Sequence, residues 1–88
     1  MYKVTKLMYT GETTKDKHSA FTKYNTYYVY KSKDGSKTML TTDTFDKCIF
    51  DDKLTVQRRI SEDLLKKFVV IETLYFKNQK EFKQKIRL

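Results

Sequence analysis

The chain has 88 residues, of which 39% are hydrophobic, 15% aromatic and 34% charged, and none is proline. A chain of this length forms one small domain with a modest core, which leaves little room for an enclosed active site. Lysine and arginine outnumber aspartate and glutamate by 19 to 11, and the formal net charge of +8 favours polyanionic partners such as nucleic acid or an acidic protein surface. An AT-rich coding sequence would produce the same excess of lysine without any ligand.

Cysteine usage and hydropathy indicate the compartment. Cys48 is the single cysteine, which excludes an internal disulfide bond and is typical of a reducing environment. No segment has the apolar length that a signal peptide or a membrane span requires. We therefore expect a soluble protein in the cytoplasm of its cell, with no membrane partner.

The first half of the chain predicts a strand and then a hairpin. Residues 2–9 alternate loosely and predict the first strand, and a polar loop follows. Residues 26–32 and 37–42 are rich in Tyr, Val, Thr, Leu and Met, and Asp34-Gly35 between them predicts a two-residue hairpin loop. This register pairs Val29 with Leu40, Tyr27 with Thr42, Tyr30 with Met39 and Tyr28 with Thr41.

The second half predicts shorter elements. Apolar residues among the aspartates of residues 43–52 indicate turns around a short strand, and residues 54–59 alternate as a further strand. Ser61 is a suitable N-cap for a brief helical turn over residues 61–67, after which residues 68–72 predict a buried strand. Phe82 and Ile86 stand four apart among lysines, which favours a short basic helix at the end of the chain.

Several motifs are spread over about residues 2–72: Tyr2 to Leu7, the FTKYNTYYV segment from Phe21 to Val29, the Asp34-Gly35 turn, Leu40 to Asp43, and Phe68 to Glu72. Together these motifs resemble one family, the short SH3-like barrel proteins of phages and mobile elements of low-GC Gram-positive bacteria. The resemblance implies a barrel of about five strands in an accessory protein that binds host or phage macromolecules within a bacterial cell. It implies no catalytic residue.

The chain departs from the family pattern in two places. Tyr24-Asn25 stands where the family has Gly-Lys, so we expect Asn25 to adopt any left-handed conformation required there. The tail after Glu72 also extends beyond the part of the chain that the family pattern covers. We therefore predict a mostly β, SH3-like barrel over residues 1–76, with a short helical turn near residues 61–67, and a basic C-terminal extension over residues 77–88 that packs on the barrel or projects from it.

The hairpin register predicts a binding surface. With Tyr27 and Val29 facing inward, Tyr28 and Tyr30 lie on the outer face among lysines. Single-strand nucleic-acid binders use aromatic rings to stack on bases and cations to follow the phosphates. Further basic clusters follow at Arg58-Arg59 and in the tail. The predicted binding residues are Tyr28, Tyr30, Lys31, Lys33, Lys37, Met39, Arg58, Arg59, Lys80 and Lys83.

The alternative for this surface is burial. Tyr75, Phe76, Phe82 and Ile86 are the kind of residues that would let the C-terminal segment fold over Tyr28 and Tyr30. The basic clusters also have a plain alternative as solvated faces. Whether the tail covers the hairpin tyrosines decides between an open binding surface and a second layer of core.

No motif predicts an enzyme, a metal site, a cofactor or a small-molecule substrate, because the chain lacks phosphate-binding glycine loops and metal-ligand spacing. The sequence favours non-catalytic binding of nucleic acid. A second hypothesis is inhibition of a host protein by direct contact, for example a defence nuclease in the manner of an anti-CRISPR protein, or a transcription or replication factor. A third is self-association.

Overall fold

One antiparallel sheet dominates the structure. The computed structural model describes residues 1–15, 20–44, 46–51 and 62–86. Its elements in chain order are β1 (Tyr2–Tyr9), β2 (Thr26–Lys31), β3 (Lys37–Leu40), β4 (Lys47–Asp51), α1 (Glu62–Leu65), β5 (Phe68–Phe76) and α2 (Gln79–Ile86). The strand order β4-β3-β2-β1-β5 makes β4 and β5 the outer strands of the described sheet. The mostly β prediction is confirmed.

The hairpin of β2 and β3 has the predicted register but a wider loop. Val29 lies opposite Leu40 and Tyr30 opposite Met39, as predicted. The loop spans four residues rather than the predicted two, because the last backbone pair is the Ser32 N–H donating to the Lys37 carbonyl at 2.8 Å. Gly35 has a φ of 78°, and the Asp34 carboxylate accepts from the backbone N–H of Ser36 at 3.0 Å. A type I-like turn followed by a left-handed glycine gives the longer loop.

Both predicted helices are present. The helical turn expected near residues 61–67 is α1, and the basic helix expected in the tail is α2. Asn78 caps α2, since its side-chain oxygen accepts from the backbone N–H of Glu81 at 2.9 Å. The Glu81 carboxylate in turn accepts from the backbone N–H of Lys77 at 2.8 Å. These two bonds fix where the chain leaves β5 and enters α2.

The sheet is packed on both faces, because its strands place apolar side chains on both sides. The first cluster lies on the face that we call the loop face, since Phe21 of the β1–β2 loop packs there, and consists of Leu7, Tyr9, Phe21, Tyr27 and Leu40, with Val29, Ile49 and Phe68 against it. The second lies on the opposite side, the helix face, and consists of Val4, Tyr30, Phe76 and Phe82, with Tyr2, Tyr28, Met39, Leu74 and Ile86 against it. The interior of the predicted barrel would need only the first of these two clusters.

Two local predictions are wrong. The sequence predicts a buried strand over residues 68–72, yet β5 is an outer strand on which Val69, Val70 and Ile71 are all more than 40% exposed. The left-handed conformation lies at Tyr24, with φ of 69°, and not at Asn25. The predicted strand over residues 54–59 lies outside the described residues.

Candidate binding surfaces

The hairpin tyrosines that the sequence predicted as a stacking surface are covered by α2. Phe82 is fully buried, and the centroid of its ring lies 5.1 Å from that of Tyr30 and 5.8 Å from that of Tyr28. Tyr30 is only 4% exposed, while Tyr28 and Met39 are half-buried. The arrangement is therefore the alternative in which the tail folds over the hairpin, and the premise that these rings face solvent is corrected.

Polar contacts hold Tyr30 in this position as well. Its hydroxyl donates to the carboxylate of Asp46. The Nζ of Lys83 lies 5.2 Å from the centroid of the Tyr30 ring, within the range of a cation–π interaction. Lys83, predicted to contact phosphate, thus contributes to packing α2 on the sheet.

A shallow groove at one end of the sheet brings together lysines from separate parts of the chain. This end, which we call the basic end, is where β1 begins and where β2 and β5 finish. The groove has a volume of about 740 Å³ and is lined by Met1, Tyr2, Lys33, Lys77, Asn78, Gln79 and Lys80. None of the described residues that line the groove is acidic. Lys33 and Lys80, both predicted binding residues, therefore share one surface.

Hydrogen bonds fix the floor of this groove. The hydroxyl of Tyr2 donates to the backbone carbonyl of Lys31, and the side-chain amide of Gln79 donates to the same carbonyl at 3.1 Å. Burial raises the pKa of Tyr2 above its usual 10.0. These contacts tie the start of α2 to the end of β2, so that Lys77 and Lys80 stay beside the hairpin loop that carries Lys33.

The remaining predicted site residues are divided. Lys31 and Lys37 are exposed on the hairpin near the basic end, where Lys37 lies beside Lys33 in a second shallow depression. Arg58 and Arg59 lie outside the described residues. Of the predicted site residues, the structure thus brings together the lysines of the hairpin loop and of the start of α2.

The other end of the sheet has the opposite electrostatic character. A polar cleft of about 360 Å³ there is lined by Asn25, Thr26, Tyr27, Tyr28, Thr41, Thr42, Asp43, Thr44, Asp46 and Ile86. The hydroxyl of Tyr27 donates to the Asp43 carboxylate at 2.7 Å and accepts from the backbone N–H of Thr22 at 2.7 Å. Burial, and then the adjacent Asp43 carboxylate, raise the pKa of Tyr27 above 10.0. The carboxylates of this cleft lie away from the basic end.

The sequence did not reveal that Lys77 and Met1 belong to the same surface as Lys33. Lys77 is visible in the sequence as one of five tail cations, but 43 intervening residues separate it from Lys33. Only the pairing of β1 with both β2 and β5 brings these segments to one edge. Finding this surface from the sequence would have required a prediction of the register between β5 and β1.

Comparison with known proteins gives no match: no family model, no curated protein and no solved structure is significantly similar to the chain. Among the residues that the structure describes, no helix is long and apolar enough to span a membrane. Within the same ranges, no three His, Cys, Asp or Glu side chains are grouped closely enough to hold a metal ion. The geometry of the basic end is therefore the observation from which function is argued.

Proposed function

We propose that the protein is a non-catalytic nucleic-acid-binding protein that contacts phosphates with the lysines of its basic end. The observation that carries this proposal is the groove lined by Lys33, Lys77 and Lys80 without a carboxylate among its described lining residues. Lysine is a compact point charge suited to phosphate oxygens, and several lysines on one surface attract a polyanion over a distance of about 8 Å at physiological salt. The formal net charge of +8 acts in the same direction.

The distribution of charge supports binding at this end rather than over the whole surface. Asp43 and Asp46 line the cleft at the far end of the sheet, and Lys23 there is paired with Glu12 at 3.5 Å. The basic end does contain acidic residues, among them Asp34, Glu81 and Asp51, the last of which pairs with Lys37 across the sheet. Among the described residues, lysines outnumber them at this end, where Lys31, Lys33, Lys37, Lys77 and Lys80 are all exposed. A phosphate backbone would be drawn to the basic end first.

The test is a titration of fluorescently labelled single-stranded and duplex DNA and RNA, followed by anisotropy over a range of salt concentrations. The triple variant Lys33→Ala/Lys77→Ala/Lys80→Ala should bind more weakly and show a shallower dependence of affinity on salt, by about 0.7 to 0.9 in log–log slope for each lost phosphate contact. The matched control is Lys15→Ala/Lys23→Ala/Lys66→Ala, which removes the same charge elsewhere. Absence of binding at low salt, or equal losses in both triple variants, would refute the proposal.

A second candidate function, direct inhibition of a host protein, is favoured by β5. Val69, Val70 and Ile71 are exposed on this strand, and a group of exposed apolar side chains is a common place for a protein partner to pack. The test is a pull-down from host lysate treated with nuclease, comparing wild type with Val69→Lys/Ile71→Lys. Recovery of one stoichiometric partner by the wild type alone would support this function over the first.

We also propose that the sheet belongs to an SH3-like barrel, as the sequence resemblance implies. The strand order, with β5 beside β1, and the short helix α1 between β4 and β5 support this architecture. If the barrel is closed, backbone contacts should connect β4 and β5, either directly or through the residues that lie between these two strands in the sequence. Nuclear Overhauser effects between these segments would establish closure, and their absence in a fully assigned protein would show an open sheet.

A further inference from the structure

An exposed aromatic ring lies on the loop face at the basic end. Lys3 of β1 pairs with Tyr75 of β5, and Tyr2 pairs with Phe76. Side chains alternate along each strand, so Phe76 turns to the helix face, where it contacts Phe82, while Tyr75 turns to the loop face. Tyr75 is 59% exposed. The tail that covers Tyr30 on the helix face thus leaves Tyr75 uncovered on the other.

Two lysines lie beside this ring on the neighbouring strands of the sheet. Lys3 is exposed and shares the face of Tyr75, since residues directly opposite each other in an antiparallel pair point to the same side. The β1–β2 register sets Thr5 opposite Val29. Continuing it by two residues places Lys3 beside Lys31, which is also exposed. Tyr75, Lys3 and Lys31 therefore form a row across three strands.

Two lysines of the groove described above are close in sequence to the two ends of this row. Lys31 is the last residue of β2 and is followed after one residue by Lys33, and Tyr75 is separated by one residue from Lys77. Neighbouring strands lie about 4.8 Å apart, so the row from Tyr75 to Lys31 spans roughly 10 Å. An extended strand of nucleic acid can lie along this path with a base on the ring and phosphates beside the lysines.

We propose that Tyr75 is a stacking platform for an unpaired base, with Lys3 and Lys31 contacting the adjacent phosphates, so that the preferred ligand is single-stranded nucleic acid. This inference rests on the proposed nucleic-acid-binding function and adds the class of ligand. A base within a duplex has both faces covered by its neighbours and cannot stack on a protein ring without being flipped out. An exposed ring beside lysines therefore favours a single strand over a duplex.

The chain contains no tryptophan, so a single substitution makes a site-specific reporter. Tyr75→Trp should show strong fluorescence quenching when a single-stranded oligonucleotide such as oligo(dT) or oligo(U) is added, and little with a duplex of the same length. Tyr24→Trp is the matched control. Tyr24 is 65% exposed and lies in the β1–β2 loop at the far end of the sheet, so the indole fluorescence of this control should change little.

The second measurement is affinity. Tyr75→Ala should weaken single-strand binding roughly tenfold or more and change duplex binding less than about twofold, whereas Tyr75→Phe, which keeps the ring, should bind as the wild type does. Circular dichroism and thermal melting would establish that each variant folds.

The outcomes separate this inference from the proposed function. If oligonucleotides bind in a salt-dependent way but leave the Tyr75→Trp variant unquenched, or if Tyr75→Ala weakens single-strand and duplex binding equally, stacking at Tyr75 is refuted and phosphate binding by the groove stands. If neither single strands nor duplexes bind the wild type at low salt, both proposals fail. Indole fluorescence of the Tyr75→Trp variant that changes with protein concentration alone would show that a second copy of the chain covers this face, and would overturn the inference.

Discussion

The ring of Phe82 packs on the ring of Tyr30 with 5.1 Å between their centroids, and this contact joins the C-terminal helix to the central hairpin. Phe82 is also 6.0 Å from the ring of Tyr2 and 5.3 Å from that of Phe76. Such tilted aromatic pairs contribute about 0.5 to 1.5 kcal/mol each beyond the burial of their area. One side chain of α2 thus closes the helix face of the sheet.

We expect Phe82→Ala to lower the free energy of unfolding by about 3 kcal/mol, because it removes a fully buried ring and leaves a cavity between α2 and the sheet. Urea denaturation measures the loss. The substitution should also accelerate hydrogen exchange of the α2 amides, relative to the wild type, more than that of the β1 and β2 amides. Gln84→Ala, an exposed change in the same helix, is the control. A loss below about 1 kcal/mol would mean that α2 is not held by this contact.

Gly11→Ala should destabilise the protein by about 1 to 3 kcal/mol, because a methyl group there overpacks a rigid neighbour. A Cβ at Gly11 would lie 2.7 Å from the hydroxyl oxygen and 2.8 Å from Cζ of Tyr9. Tyr9 cannot move away, since it is fully buried and its hydroxyl donates to the Glu12 carbonyl at 2.7 Å.

The control for this clash is the double variant Tyr9→Phe/Gly11→Ala, measured with both single variants by urea denaturation. Removing the hydroxyl takes away the closest of the two Tyr9 atoms, so the double variant should lose less stability than the sum of the single changes. Additive losses would show that the cost of Gly11→Ala has another source.

Tyr24→Gly should raise the free energy of unfolding relative to Tyr24→Ala by about 1 kcal/mol. Tyr24 has a φ of 69°, a left-handed conformation in which any Cβ is crowded. Both substitutions remove the ring, which is exposed and lies 5.3 Å from the Nζ of Lys23, so their difference isolates the backbone strain. Thermal melting of the pair measures it, and an alanine variant as stable as the glycine variant would contradict the prediction.

Alkaline pH should destabilise the protein partly through Tyr27. Burial and the Asp43 carboxylate raise the pKa of Tyr27 in the folded state above 10.0, so the folded protein holds this proton more tightly than the unfolded chain does. The stabilisation is therefore fully present below pH 10 and is lost as pH rises through the folded-state pKa.

The measurement is the free energy of unfolding by urea between about pH 9 and pH 11. Tyr27→Phe should be less stable than the wild type at neutral pH, because the hydrogen bond to Asp43 is lost, and its stability should fall less steeply above pH 10. Equal slopes for Tyr27→Phe and wild type would exclude Tyr27 as the titrating group.

Local patterns in the sequence predicted much of the fold. The alternation of residues 2–9 gave β1, and the turn at Asp34-Gly35 set the register of Val29 against Leu40. The spacing of Phe82 and Ile86 indicated α2. These features depend on side-chain period and turn chemistry, which act over a few residues. The prediction that residues 68–72 are buried needed a distant partner to cover β5, and it was wrong.

The sequence by itself determined that this is a small, basic, mostly β protein in which Tyr28 and Tyr30 share one face of a hairpin, because strand alternation is a local property. Only the tertiary structure decided which aromatic rings are covered. Pairing of β5 with β1 and the packing of α2 bury Tyr30 under Phe82, leave Tyr75 exposed, and bring Lys33 beside Lys77. These contacts join residues more than 40 positions apart in the chain, and no local pattern encodes them.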